Sequence, residues 1–408
     1  MDRQKKKILV AVLAVAFIQM PGLALTPGIN QIRQVAFSEY SLSAVQTALA
    51  VSALAQPIAA FGAALLINRR LVTKKGIIIL GLILLAVTGG LAFAANTEFW
   101  HLVMLSVLLG ISTGFFMSNM FGLIADNFDT IERQSIMGWQ TSVINAGGIM
   151  MSLMGGLLAT YMWYGGYSML LVGLPAAVLV AFTVPNYLSP AAEKAEPAGD
   201  ADERKGAGKK KAPARLNPRI FYYCAAACLF FMTYSVCGSN LSTHIAGLGN
   251  TGIAGIAVAF QMGGGVISGL FFGKISKKIG DYSLSAALGL VFIGYMMLSL
   301  FPSSLVLVFC SVFIVGMALS IMLPRCIFMV STLAVDKSTS ATATALISVV
   351  SPSAGGFLSP IVFTNLTTAL FGESTTARYR FVGFVVLAIA VAIAAVTTVR
   401  SKSYEAEA

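Results

Sequence analysis

Polar and apolar positions along this chain neither alternate nor fall on one face of a helical period; they come in blocks. Twelve apolar blocks are separated by polar breaks, at roughly 8–27, 42–67, 76–95, 99–124, 137–160, 164–184, 219–246, 252–273, 283–301, 304–332, 340–369 and 379–399. A helix needs about 20 apolar residues to cross the hydrocarbon core of a bilayer, and each block is long enough. Strands of a membrane barrel alternate over about ten residues, so continuous blocks exclude that architecture. The pattern predicts an all-α polytopic membrane protein with twelve transmembrane helices. Lys5, Lys6 and Lys7 ahead of the first block look like the start of a secretory leader, but eleven further blocks behind it predict a retained first span.

One polar break is far longer than the rest. Residues 186–218 join an Ala/Pro/Glu-rich stretch to Glu203-Arg204-Lys205 and Lys209-Lys210-Lys211, the composition of a flexible basic connector. It divides the chain into residues 1–185 and 219–408, six spans each, and the two parts read as repeats. The fourth span carries Gly110-Ile-Ser-Thr-Gly114-Phe-Phe-Met-Ser118-Asn119, and the tenth carries Gly316-Met-Ala-Leu-Ser320-Ile-Met-Leu-Pro324-Arg325. Asn119 and Arg325 thus stand at equivalent places. Basic loops also recur at matching positions, Arg69-Arg70 with Lys74-Lys75 between spans 2 and 3, and Gly273 to Gly280 with Lys277-Lys278 between spans 8 and 9. Internal repeats of this kind predict two pseudo-symmetric six-helix bundles.

Composition agrees, with 57% hydrophobic and only 11% charged residues. A soluble globular domain carries about 25% charged residues, so that class is excluded. The formal charge of +11 is explained by where the cations sit. Of the 27 lysines and arginines, 23 fall on the side of the N terminus, three (Arg33, Arg378, Arg380) fall opposite, and Arg325 lies within the tenth span. Cytoplasmic loops carry the excess of Lys and Arg, which places both termini in the cytoplasm. Topology therefore accounts for the charge, and no nucleic-acid partner is expected.

The loop motifs carry a family resemblance. Gly273, Ile275, Lys278 and Gly280 match a Gly-x-Leu-x-Asp-Arg-x-Gly-Arg-Arg signature, with Lys277 where the acid is expected; in the first half Asn68-Arg69 and Lys74-Lys75 remain. Asp126 through Glu132-Arg133 to Gly138 follows the fourth span. In these features and in its six-plus-six plan, the chain resembles the major facilitator superfamily of secondary transporters, and in pattern its bacterial drug and sugar efflux branch. The resemblance implies alternating access in a bacterial cytoplasmic (inner) membrane by a monomer without cofactor, whose partners are a small molecule and the lipid bilayer; a coupling ion is left open. Two departures restrict mechanism. Ser106 stands where many proton-coupled members carry arginine, and the antiporter motif of span 5 is reduced to Met151-Ser152-Leu-Met-Gly155-Gly156.

The resemblance also implies that spans 1, 4, 7 and 10 line a central cavity. They carry Gln19, Asn119, Tyr234, Asn240 and Arg325, with Gln261 in the neighbouring eighth span, and these are the candidate substrate-binding residues. None of the sixteen Asp and Glu lies deep in a span, which disfavours proton coupling on a buried carboxylate. Arg325 reads as the one intramembrane cation, and a guanidinium suits carboxylate or phosphate. It reads equally as a residue that snorkels to the inner surface or braces carbonyls freed by Pro324. The candidate gate pairs the basic loops with acids of the other half: Lys277 and Lys278 with Asp129 and Glu132, and Arg69 and Arg70 with Asp336, Gly273 and Gly280 shaping the second loop. His101 and His244 lie near span ends, Cys224, Cys228, Cys237, Cys310 and Cys326 lie in spans 7 and 10, and neither set forms a metal or disulfide pattern. No enzyme is indicated. The leading expectation is a transporter of a small organic anion with Arg325 as counter-charge; the alternative is an efflux transporter of neutral or amphipathic compounds (drug or sugar type), and the third class is a non-transporting membrane receptor or scaffold. The last would normally bring a folded appended domain, and no segment is long enough for one.

Overall fold

The computed structural model describes residues 2–128, 130–185, 217–249, 251–333, 343 and 345–407. Within them the chain forms helices joined by short turns, without a strand. We label the spans α1 (Arg3–Phe17, continued by Pro21–Ala36), α2 (Leu42–Asn68), α3 (Lys74–Ala94), α4 (Phe99–Asn127), α5 (Thr130–Tyr161), α6 (Gly165–Thr183), α7 (Pro218–Ala246), α8 (Ala254–Ile279), α9 (Ser283–Leu300), α10 (Leu305–Leu333), α11 (Leu346–Phe371) and α12 (Thr375–Glu407). Eleven are long and apolar enough to cross a membrane singly, and the bent first pair makes twelve. The predicted connector 186–218 lies outside the described residues except for its last two positions.

Local chemistry sets the helix ends. Ser41 and Thr73 side chains accept from the backbone N–H groups of Ala44 and Gly76, capping α2 and α3. Glu98 and His101 form a capping box that starts α4, so His101 is a capping residue. Gly280 (φ 57°) turns the chain after α8 in a conformation open to few other residues.

The first span departs from the sequence reading. The apolar pattern ends it near residue 27, but it bends by 41° between Phe17 and Pro21 and runs on through short 3-10 and π turns to Ala36. Pro21 supplies no N–H and fixes φ, which ends the first α segment. Asn30 and Gln31 make the continuation look too polar for lipid. Asn30 instead packs against α7, its backbone N–H donating to Ser242 Oγ at 3.2 Å, so it faces protein. Two further π turns, Leu346–Val350 and Pro360–Thr364, interrupt α11 beside Pro352 and at Pro360.

Two large hydrophobic cores form among the described residues, one drawn from residues 8 to 184 and the other from residues 220 to 393, with a small third cluster of Ala63, Ile67 and Ile77. Glycine lets helices meet backbone to backbone inside each. A Cβ on Gly110 or Gly114 of α4 would overlap the carbonyl oxygens of Ser52 or Gln56 of α2, and one on Gly316 of α10 would overlap that of Gln261 of α8. The repeat glycines Gly110 and Gly316 thus do the same packing work in the two halves.

At the end of the molecule where α1 begins, two ion pairs fasten elements of the first half: Lys5 to Glu132 and Lys74 to Asp126, each at 2.7 Å. At the opposite end the two halves meet one another. Gly156 of α5 packs on Gly255 of α8, and Ser152 Oγ donates to the Gly255 carbonyl at 2.8 Å. Ser242 Oγ donates to the Pro27 carbonyl at 2.6 Å, and Ser43 bonds Asn365. Arg33 grips both carboxylate oxygens of Glu373, at 2.5 and 2.7 Å.

Candidate functional site

Beneath that far-end seam lies a central cavity of about 360 Å³. The broken stretch of α1 lines it with Met20, Leu23 and Thr26, α2 with Gln46 and Ser52, α7 with Tyr234 and Ser239, and α8 with Gln261 and Met262. Leu109 of α4 and Leu319 of α10 complete the wall. No charged residue is among the described residues that line it. The Tyr234 hydroxyl interacts with the Gln261 side chain, and its ring stacks on Phe230 with centroids 5.4 Å apart. Amide and hydroxyl groups on an otherwise apolar wall can orient a cargo, and two methionines let the wall adapt.

Of the candidate substrate-binding residues, the structure brings Tyr234 and Gln261 together at the cavity. Gln19 is buried in the break of α1, next to the lining residue Met20. Asn119 turns back on its own helix, donating to the Phe115 carbonyl at 2.7 Å. Asn240 is held in the far-end seam, where its Oδ1 accepts from Gln46 Nε2 at 3.1 Å and from Arg378 Nη1 at 2.5 Å. Arg325 is 8% exposed and sits between α8 and α10, its Nη1 donating to Ser276 Oγ at 3.3 Å and its guanidinium 5.6 Å from the centre of the Phe328 ring. Six residues beyond Leu319, it lies about 9 Å further along the helix axis. It does not line the central cavity, although its neighbour Pro324 lines a second one of about 560 Å³ between α5, α8 and α10.

One far-side cation is placed where nothing in the sequence signals it. Arg378, counted among the far-side cations, is fully buried in protein at the start of α12, so a charge assigned to a loop is enclosed by the fold. Its Nε and Nη2 donate to the Thr367 and Thr368 hydroxyls, both at 2.8 Å, beside the bond to Asn240. Polar groups from α7 and α11 take the place of water around the charge. The other residues that sequence reasoning missed are Gln46 and the pair Arg33–Glu373. All belong to the seam, and their signal is a scatter of polar residues at far-side span ends.

Comparison with known proteins settles the family. The sequence profile of the Major Facilitator Superfamily matches residues 8–360. The chain belongs to the major facilitator superfamily. Solved structures share its fold at low identity. The POT family transporter PepTSo has a TM-score of 0.78 and 13% identity, covering 100% of this chain and 99% of its own. The nucleoside transporter NupG has a TM-score of 0.68 and 13% identity over 97% of this chain and 99% of its own. A bacterial homolog of the human lysosomal transporter Spinster, inward-facing and unoccupied, has a TM-score of 0.71 and 17% identity over 96% of each chain. No curated protein sequence matches this one. As a superfamily member the protein is an integral membrane secondary transporter and not an enzyme. Among its described residues no three His, Cys, Asp or Glu side chains gather as metal ligands would. His244 is buried against α12, its Nδ1 2.9 Å from Thr375 Oγ1.

The candidate gate of this facilitator falls only partly within the described residues. Glu132 holds Lys5 of its own half, Arg69, Arg70 and Lys278 are exposed, and Gly273 lies within α8. Asp129 and Asp336 lie outside the described residues, as does the Lys277 side chain.

Proposed function

We propose that this transporter moves a neutral or amphipathic small molecule by alternating access, with residues 1–185 and 219–408 rocking about the connector 186–218. The uncharged lining of the central cavity carries this reading. An ion held there would lack a counter-charge in a low-dielectric site, which costs several kcal/mol, whereas Gln46, Tyr234, Ser239 and Gln261 satisfy neutral polar groups. The excess of cations at the N-terminal end supports placing that end in the cytoplasm of a bacterial inner membrane, which would make the seam the outer one and this state closed outward. When the inner side closes in turn, Lys277 and Lys278 would approach Asp129 and Glu132, and Arg69 and Arg70 would approach Asp336. A reporter after Ala408 is expected to be cytoplasmic, and a tag at the exposed Thr97 turn is expected to be reachable from outside. A tag protected in intact cells would refute this orientation.

The second reading, an organic anion with Arg325 as counter-charge, is favoured only by the cavity beside Pro324. Uptake of labelled carboxylates, neutral solutes and cationic dyes into proteoliposomes separates the two. Neutral or amphipathic compounds are expected to be transported, and Arg325→Gln is expected to leave their apparent affinity within about twofold, a change of under 1 kcal/mol. Carboxylate transport that weakens more than tenfold in Arg325→Gln, the loss expected when a sheltered charge pair is broken, would install the anion reading instead.

A further inference from the structure

The side chain of Gln46 belongs to two parts of the molecule at once. It lines the central cavity, and it also joins the halves across the outer seam. Its Nε2 donates to the Ser239 carbonyl at 2.7 Å and to Asn240 Oδ1 at 3.1 Å, while its Oε1 accepts from Thr364 Oγ1 at 2.7 Å. A primary amide has two hydrogens to give and two lone pairs to fill. Both hydrogens are used and one lone pair remains. A donor on a molecule in the cavity can therefore reach Oε1 without disturbing the seam. An acceptor there must take a hydrogen from Ser239 or Asn240.

The two sides of the seam do not lose equally by that exchange. Asn240 Oδ1 also accepts from Arg378 Nη1, and the same guanidinium holds Thr367 and Thr368. Bonds from a cation are about twice as strong as neutral ones. Asn240 thus stays satisfied when Gln46 lets go, the Ser239 carbonyl gives up its side-chain bond, and the bond from Gln46 is the one that yields. A ligand shifts a two-state equilibrium only through different affinities for the two states, and competition for this amide supplies such a difference.

We propose that Gln46 senses the cargo for the outer seam: an acceptor oxygen or nitrogen on the substrate takes the Nε2 hydrogens, weakens the contact of α2 with α7, and raises the population open to the outside. This rests on the neutral-cargo reading and narrows it to molecules with an apolar body and at least one acceptor. Purely apolar molecules of the same size bind without opening the seam.

The test uses the full-length protein in lipid nanodiscs, with spin labels carried by unnatural amino acids at the exposed Thr97 and Ser303, so that all five cysteines stay in place. The probes are acetanilide, an aromatic amide, and n-propylbenzene, which has no acceptor; binding of each is measured separately by equilibrium dialysis. In the wild type acetanilide is expected to raise the long-distance population at least about threefold, and propylbenzene to bind without raising it. Gln46→Leu is expected to raise that population without any probe and to lose the response to acetanilide while still binding propylbenzene. Gln46→Met carries the same expectation should leucine fail to pack. Thr364→Val, which removes a seam bond but no cavity-lining group, is expected to raise the baseline and keep the response. A wild-type dose response in both Gln46 variants, or acetanilide that binds the wild type without widening it, would overturn the sensor alone. Failure of both probes to bind would overturn the neutral-cargo reading first, and the sensor with it.

Discussion

Replacing Gly316 by valine is expected to abolish transport and to cut the yield of folded protein at least about tenfold. Overpacking a core costs about 1–3 kcal/mol, and here the obstacle is the carbonyl of Gln261, a backbone atom with no rotamer to swing away. α8 and α10 must part, which moves Gln261 and with it the cavity wall. Gly110→Val should do the same to the α2 and α4 seam at Ser52. Gly90→Ala and Gly289→Ala are the controls, since nothing lies within 4 Å of a Cβ at either position; they should fold and transport as the wild type does. Size-exclusion profiles of the detergent-solubilised proteins, followed by proteoliposome uptake, decide the matter. A monodisperse, active Gly316→Val protein would show that the seam is looser than the structure has it.

Replacing Arg378 by methionine is expected to cost about 2–4 kcal/mol, because it strips hydrogen bonds from the buried acceptors Asn240 and Thr367 and the partly buried Thr368. At about 2 °C per kcal/mol for a chain of this size, the midpoint of thermal unfolding should fall by roughly 4–8 °C. Arg378→Lys retains the charge but cannot place three bonds with one ammonium, so an intermediate loss is expected. An unchanged midpoint for Arg378→Met, read by intrinsic fluorescence in detergent, would mean that the buried network adds nothing to stability.

These two residues also mark the limits of what the sequence discloses. Gly316 is legible: its partner Gly110 stands at the matching place in the other half, and a repeated glycine in an apolar span signals close helix approach. The spans are legible for the same reason, since lipid imposes one composition over a fixed length. Arg378 is not. An arginine at the edge of an apolar block reads as an interfacial cation, and its acceptor Asn240 is 138 positions away in the chain. Gln46 is equally silent because one amide near a span end has no period to announce it, and only the folded chain shows it between cavity and seam. The extension of α1 beyond residue 27 is hidden because Asn30 and Gln31 are weighed against lipid, whereas Asn30 meets Ser242.

Among the described residues, the seam that closes the far end is bonded through amides, hydroxyls and an arginine–glutamate pair. When such a surface parts, water replaces each bond it loses, so the net contribution of each is only about 0.5–1.5 kcal/mol, and the exposed ion pair adds at most about 1 kcal/mol. A greasy closure would act as a spring that always pulled shut. A seam of this kind would act as an unsprung door, favouring neither face strongly and leaving the direction of net flow to the gradients on the two sides of the membrane.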